Sequence, residues 1–148
     1  VASAVWKSVK VVAGQTTVLR PGYLTVDGAS FRGHKVLEAE TGLQHGSVSS
    51  SHASITLMPG DYEVTFGPAH WAVRVEAGEK TVLQPGIVAV NGDHYRGHVI
   101  STPDGTKAGS VSNTASSIPL PPGEYTIEID GKTIPFVLKA GERREFKR

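Results

Sequence analysis

The amino-acid sequence predicts an all-β fold: two tandem homologous small antiparallel β-sandwich units, residues 1–72 and 73–148. Three observations predict it: a long internal repeat, apolar and polar side chains alternating with a period of two, and Gly and Pro pairs at short intervals. The 148 residues, 39% hydrophobic and 20% charged, suit two small globular units and exclude disorder as the main state.

The repeat is the strongest of these observations. Residues 9–36 align without a gap on residues 73–100, with fourteen of twenty-eight positions identical. Ala-Gly, Pro-Gly and Arg-Gly-His recur at an offset of 64 residues, while Gly-Ser-Val-Ser and Pro-Gly-x-Tyr recur at an offset of 63. Such self-similarity indicates two copies of one folding unit.

A third, partial copy lies near the end of the chain. Residues 136–142 match residues 73–79, and Phe146 stands where Leu83 stands in the earlier copy. The segment 73–79 therefore ends one unit and begins the next. Because no Pro- or Ser-rich linker intervenes, we expect the strand at 73–75 to run directly from one unit into the other.

Period and turn residues predict the strands. Val9 and Val11, and likewise Val73 and Val75, alternate with polar residues, which is the pattern of half-buried strands, and no helical period is sustained. Pairs such as Ala-Gly, Pro-Gly and Asp-Gly supply the backbone angles that turns require. We predict strands near residues 7–12, 16–20, 23–27, 30–40, 53–58 and 61–67, with the same set in the second copy.

Six or seven strands in about 64 residues suit a small sandwich whose two sheets share one core. Tyr62 and Tyr125 each follow Pro-Gly at the start of a strand. A buried ring whose hydroxyl bonds to the backbone commonly fixes a sandwich corner. We therefore predict a structural role for both tyrosines.

Charge and composition exclude several classes of function. The net charge is +1 with no long run of one sign, so no nucleic-acid-binding surface is expected. No apolar run approaches the roughly 20 residues of a membrane-spanning helix, so no membrane insertion is expected. Cysteine is absent, which removes disulfides, thiolate metal ligands and cysteine nucleophiles.

The strand start in Leu120–Ile129 and the closing stretch in Val137–Glu142 carry a family resemblance. Together they resemble the end of a carboxypeptidase-regulatory-like or PEGA-type repeat, a small transthyretin-like or immunoglobulin-like bacterial β-sandwich. The resemblance covers nearly the whole chain as two copies. It implies a noncatalytic surface or envelope module, and it supplies no catalytic residues.

The duplicated Arg-Gly-His triplets are the first candidate binding residues: Arg32 and His34, with Arg96 and His98. A glycine within a strand lets a ligand or another backbone approach, and Arg and His can bind anions or sugar hydroxyls. Duplication preserves structural residues equally well. The glycines are therefore also compatible with β-bulges whose flanking side chains pack on a neighbouring strand.

A metal site is not expected, and no cofactor is predicted. His94 and His98 would share one face of a strand, but four residues at roughly 3.3 Å each separate them by about 13 Å, too far for one metal ion. Only His34 and His98 are equivalent by the repeat, the other four histidines are not duplicated as pairs, and no acidic loop of the calcium-binding type is present.

Two alternative functions stay open beside a structural one. Carbohydrate binding would use flat aromatic faces, and the aromatic residues least committed to a core are Trp6, Tyr23, Trp71 and Tyr95, although they are not duplicated. A small hydrolase is the weaker alternative, because no Gly-x-Ser-x-Gly elbow is present and the Gly-Ser-Val-Ser stretches lie in predicted turns.

The sequence-based hypothesis is a noncatalytic, extracytoplasmic structural or interaction module of bacterial type, acting through protein–protein contacts or self-association. The hypothesis rests on the duplicated unit and on the lack of catalytic signatures in the sequence. The start at Val1 and the content of Ser, Thr and Gly favour a fragment or an exported mature chain. Val1, Ala2, Ser3, Ala4 and Val5 could add a strand to the sheet edge of a neighbouring subunit, and so form an assembly strand.

Overall fold

The structure is a computed structural model that describes residues 6–28, 33–92 and 97–148. Over these residues the chain is all-β, as predicted, with fourteen strands and no helix. In chain order they are β1 (Gly22–Val26), β2 (His34–Glu38), β3 (Gln44–Val48), β4 (Ser54–Leu57), β5 (Gly60–Phe66), β6 (Ala69–Val75), β7 (Lys80–Leu83), β8 (Gly86–Asn91), β9 (His98–Ser101), β10 (Lys107–Val111), β11 (Ser117–Leu120), β12 (Gly123–Ile129), β13 (Lys132–Leu138) and β14 (Arg143–Lys147).

The chain forms two compact units. Unit 1 draws its described residues from 1–27, 32–64 and 72–83, and unit 2 from 28–31, 65–71 and 84–148. Unit 1 thus holds β1–β4, β7 and the larger parts of β5 and β6, and unit 2 holds β8–β14. The sequence-based boundary lies between residues 72 and 73, whereas residues 72–83 group with unit 1.

The strands form four sheets, of the same two kinds in each copy. One sheet has the order β4-β1-β7 and its counterpart the order β11-β8-β14; the other has the order β3-β2-β5-β6 and its counterpart β10-β9-β12-β13. Most neighbours are antiparallel, but β7 runs parallel to β1 and β14 runs parallel to β8. Two β-sandwiches of the same topology therefore follow one another along the sequence.

Alternation places one face of each strand in a core. In β5 the side chains of Tyr62 and Val64 are buried, and in β12 those of Tyr125 and Ile127, between less buried neighbours. The largest fully buried side chains are aliphatic, among them Leu24, Leu57, Ile100, Leu120, Ile127 and Leu138. Their removal from water supplies the main favourable contribution to folding.

The end of the sixth strand of each copy, β6 or β13, lies against a glycine at the start of the first strand. A Cβ at Gly22 would overlap the Val75 side chain and the Glu76 carbonyl oxygen, and a Cβ at Gly86 would overlap the Leu138 side chain. Pro-Gly at these positions thus has a packing reason, because only glycine leaves space for the end of the sixth strand.

Three expectations about the strands are wrong. The Gly-Ser-Val-Ser stretches, predicted as turns, lie largely in β3 and β10, where Val48 and Val111 are buried. Residues 7–12 and 16–20 form no strand, although their counterparts in the repeat form parts of β6 and β7. The strand at 73–75 also does not run on into the next copy. It ends at Val75, the chain turns through Gly78 at φ +72°, and β7 returns to pair with β1. A glycine in the left-handed region reverses the chain where alternation alone suggested continuity.

Both tyrosines have the predicted corner geometry. The Tyr62 hydroxyl donates to the Met58 carbonyl oxygen at 2.6 Å, and the Tyr125 hydroxyl donates to the Pro121 carbonyl oxygen at 2.6 Å. The rings are buried, and burial raises the pKa of both hydroxyls. Each tyrosine joins the start of its strand to the preceding turn.

In the described part of the chain, no helix has the length and apolar character needed to span a membrane.

The first prediction concerns the corner hydrogen bond. Tyr125→Phe should lower the free energy of unfolding by about 1–2 kcal/mol, because the Pro121 carbonyl loses its donor. Tyr23→Phe, at an exposed ring, is the control and should change it by less than about 0.5 kcal/mol. Denaturant unfolding measures both, and equal effects of the two substitutions would contradict the structural role.

The second prediction compares the two glycines. Gly22→Ala and Gly86→Ala should each destabilise by about 2 kcal/mol or more, because the new methyl group has no space. Leu138→Ala should relieve Gly86→Ala in a double-mutant cycle, since a side chain is the obstacle there. Val75→Ala should relieve Gly22→Ala much less, because the Glu76 carbonyl also obstructs it. Equal coupling in both cycles would refute this difference.

Candidate functional site

A polar cleft of about 720 Å³ opens in unit 1 between β3 and β4. Each of these strands is at the edge of its sheet, so the cleft lies where the two sheets of the unit end. The lining is mainly hydroxyl, amide and imidazole groups. It comprises Gln44, His45, Gly46, Ser47, Ser49, His52, Ser54, Ile55 and Thr56.

Irregular pairing shapes the β3 side of the cleft. The register between β2 and β3 shifts after Val36, where Gly46 pairs with Val36 and Gln44 with Leu37. Gly46 has a φ of +152°, which a residue with a side chain rarely adopts. A β-bulge of this kind re-aims neighbouring side chains.

A charged cluster lies beside the cleft, centred on Glu38. Its Oε1 and Oε2 accept hydrogen bonds from Lys7 Nζ at 2.9 and 2.8 Å, and Oε2 accepts a third from Thr41 Oγ1 at 2.7 Å. The Nε2 atom of His45 is 3.5 Å from Oε2 of Glu38, and the His45 ring meets the Tyr62 ring edge-to-face at 5.6 Å. The cluster thus joins the segment before β1 to β2 and β3.

These contacts hold Glu38 in its charged form. Hydrogen bonds from Lys7 and then from Thr41 are the largest causes that lower the pKa of Glu38 to about 2 from an ordinary 4.5. The Glu38 charge in turn raises the pKa of Tyr62, after the larger effect of burial. At neutral pH the site therefore carries a fixed carboxylate paired with a lysine.

A chain of hydroxyl contacts leads to His52 at the cleft. Ser49 Oγ and Ser51 Oγ are 3.1 Å apart, and Ser51 Oγ is 3.1 Å from His52 Nδ1. The turn itself is duplicated, since Ser112 Oγ and Thr114 Oγ1 make the equivalent contact at 3.1 Å in unit 2. The hydroxyl contact is therefore part of the turn's structure, and His52 is the addition peculiar to unit 1.

The corresponding positions of unit 2 carry different chemistry. Ala108 stands at the place of His45, Ala115 at that of His52 and Thr102 at that of Glu38. Ile118 packs directly on Gly109, leaving no room there for a Cβ. The polar cluster is thus a property of one copy, whereas the core is a property of both.

The histidines of the Arg-Gly-His triplets are core residues. His34 and His98 begin β2 and β9 and are both buried. His98 Nδ1 is 2.9 Å from the Glu128 carbonyl oxygen. Gly33 and Gly97 both have a φ of +119°. Arg32 and Arg96 lie outside the described residues, so ligand contact by the triplets stays a prediction.

The described aromatic candidates have different surroundings. Tyr23 is exposed on β1, Trp6 is partly buried, and Trp71 is tilted at 46° to Phe66 with ring centroids 5.8 Å apart. Tyr95 and the predicted assembly strand, residues 1–5, lie outside the described residues.

Sequence reasoning missed the Glu38 cluster and the cleft. The signal was available as an asymmetry, because His45 and His52 stand opposite alanines in the aligned copy. The contacts of Lys7 and Glu38 join residues 31 positions apart, which the sequence alone does not show. Among the described residues, no three His, Asp or Glu side chains are grouped so as to hold a metal ion.

Comparison with known proteins finds a similar chain among the solved structures. No protein-family model and no curated protein matches the chain. A chain described as the Bacillus anthracis TIE protein is similar at 17% sequence identity and a TM-score of 0.35, over 87% of this chain and 33% of that chain. The present chain thus spans about a third of the length of that protein.

The third prediction concerns the pH dependence set by Glu38. Because the folded-state pKa is lowered, the contribution of Glu38 to stability is present above pH 4.5 and is lost as the pH falls towards 2. Lys7→Met should raise the midpoint of the Glu38 carboxyl titration, followed by NMR, towards 4.5. Glu38→Gln should flatten the loss of stability over the same range. A parent midpoint already near 4.5 would contradict the cluster.

Proposed function

We propose that the chain is a noncatalytic, extracytoplasmic structural or interaction module that acts through protein–protein contacts. We further propose that the contact is made at the cleft of unit 1, by an extended segment of a protein partner or of a second copy. The observation that carries the proposal is the position of the cleft between two edge strands, β3 and β4. Edge strands present unpaired backbone N–H and C=O groups, and an added strand satisfies them.

The lining supports a polar peptide partner. Hydroxyl groups of Ser47, Ser54 and Thr56, with the two histidines, can donate to and accept from an extended backbone. The difference from unit 2 supports the same idea, since both copies carry the core but only one carries the histidines. The proposal includes the repeat type, which resembles carboxypeptidase-regulatory-like or PEGA-type repeats. It also places the protein in the bacterial envelope or at the cell surface.

Carbohydrate binding is the alternative that the exposed ring of Tyr23 favours, with the hydroxyls of Thr25 and Ser54 on the neighbouring positions of the sheet, 2.7 Å apart. Carbohydrate binding predicts that cell-wall glycan fragments quench or enhance the intrinsic fluorescence, and that Tyr23→Ala abolishes this change.

The hydrolase alternative could use the contact between Ser51 and His52, which joins adjacent residues in an exposed turn. A serine nucleophile additionally needs a third group that orients its base.

The fourth prediction tests the protein-contact function in its self-association form. Sedimentation velocity over a wide concentration range should show species heavier than the 15.6 kDa monomer as the concentration rises. Ser47→Lys, which places a charge in the cleft, should weaken this association about tenfold, or about 1.4 kcal/mol. Val82→Lys is the matched control on β7, the opposite edge of the sheet that contains β4.

The sedimentation results distinguish self-association at the cleft from self-association elsewhere on the chain. A 15.6 kDa monomer at every concentration would contradict self-association at the cleft. Association that Ser47→Lys leaves unchanged and Val82→Lys abolishes would move the contact to the β7 edge. Deletion of residues 1–5 tests the predicted assembly strand by the same measurement.

A further inference from the structure

Residues 9–19 repeat the sequence that closes each unit. Seven of their eleven positions are identical to residues 73–83, and residues 136–146 are the third copy. In the two complete copies this sequence forms the end of the sixth strand, a turn and the seventh strand, which pairs parallel with the first strand. Over the described residues 6–19 the chain forms neither a sixth nor a seventh strand.

The turn is nevertheless formed in all three copies. Gly14, Gly78 and Gly141 have φ values of +74°, +72° and +68°. The residue after each glycine donates its backbone N–H to the carbonyl three residues earlier, with N···O distances of 3.1, 3.3 and 3.1 Å. Residues 12–15 therefore have the turn of a closing segment.

What differs is the surroundings of the flanking apolar side chains. Val11 is 79% exposed, whereas its counterparts Val75 and Leu138 are 0% and 1% exposed. Leu19 is 43% exposed, against 4% for Leu83. Val9, Val12 and Val18 are also exposed, so this short segment holds five of the eleven large exposed hydrophobic residues in the described chain. Apolar surface concentrated in this way marks a site of contact with another protein surface.

No first strand described in this chain is open to the segment. β1 already pairs with β4 and β7, and β8 already pairs with β11 and β14. The partner that residues 9–19 fit is therefore the first strand of some other copy of the unit.

We propose that residues 9–19 are the end of the sixth strand, the turn and the seventh strand of a further unit of the same fold. The other strands of that unit precede residue 9 in the same polypeptide. The linkage supports this placement. Leu19 is followed by Arg20, Pro21 and the first strand at Gly22, just as Leu83 is followed by Gln84, Pro85 and the first strand at Gly86. The protein is then an array in which the closing strand of one unit leads through two residues into the next unit.

The proposal specifies the chemistry of the missing strand. The first strand of the further unit should begin with a glycine that leaves space for Val11, as Gly22 leaves space for Val75. This strand should pair in parallel with residues 16–19, as β1 pairs with β7. This inference goes beyond the proposed function and does not depend on it, because it rests on the repeat and on the exposure of one segment.

The fifth prediction asks whether residues 9–19 can close a unit. The four substitutions R74K, E76V, E79Q and K80T give residues 73–83 the sequence of residues 9–19. The backbone amides of Thr81 and Leu83, which face β1, should stay protected from hydrogen exchange, and Tm should fall by less than about 4 °C, since the ion pairs of Arg74 that are altered are exposed. Loss of protection at Thr81 and Leu83 would overturn the proposal.

A second measurement supplies the missing unit. Residues 22–72 are placed directly before Val9, in place of residues 1–8, so that residues 9–19 can complete the added copy. The amides of Thr17 and Leu19, the counterparts of Thr81 and Leu83, should then exchange about 100-fold more slowly than in the 148-residue chain. The control adds residues 22–83 instead, so that the added copy is closed by its own strand, and Thr17 and Leu19 should stay unprotected.

The remaining outcomes overturn the proposal. Rapid exchange of Thr17 and Leu19 in the first extended chain, or equal protection in both extended chains, would show that the segment does not close the added unit. Protection that rises with the concentration of the 148-residue chain would assign the partner to a second copy, and so would contradict a preceding unit in the same polypeptide.

Discussion

The parallel pairing of the seventh strand with the first is the interaction on which each unit depends. The backbone N–H of Tyr23 donates to the Glu79 carbonyl at 2.9 Å, and that of Ile87 donates to the Glu142 carbonyl at 2.7 Å. The glycine of Pro-Gly leaves space for Val75 or Leu138 at the end of the sixth strand, from which the chain turns into the seventh strand. The seventh strand brings Leu83 or Phe146 against the core. A unit of this size buries little apolar surface, so its stability depends strongly on the strand that joins the beginning of its sequence to the end.

Much of the fold could be predicted because the chain contains its own comparison. The repeat, the alternation and the Pro-Gly pairs predict an all-β fold of two similar sandwiches, and the two tyrosine hydroxyls bond to the backbone as expected. The failures have a common cause. Val9 and Val11 have the alternation of a strand, but a strand also needs a neighbour, and alternation does not reveal whether one is present. The left-handed Gly78 likewise ends a strand that the apolar pattern alone would continue.

The candidate site could be predicted less well, because it depends on contacts between distant residues. His34 and His98, which are shared by both copies, are buried. The chemistry peculiar to unit 1 lies at positions that duplication did not preserve, where Glu38, His45 and His52 stand opposite Thr102, Ala108 and Ala115. In this chain the two buried histidines are shared by both copies, whereas the residues of the polar cluster differ between them.

Native-state hydrogen exchange of the Tyr23 and Ile87 amides tests the central claim most directly. Both amides bind carbonyls at the start of the closing segment, so their exchange reports on closure alone. If closure holds each unit together, both should exchange only through unfolding of the whole unit, with the same free energy as amides in the centre of β5 and β12. Exchange of Tyr23 and Ile87 as fast as that of turn amides such as Gln15 would show that the seventh strand opens independently. That result would contradict the account.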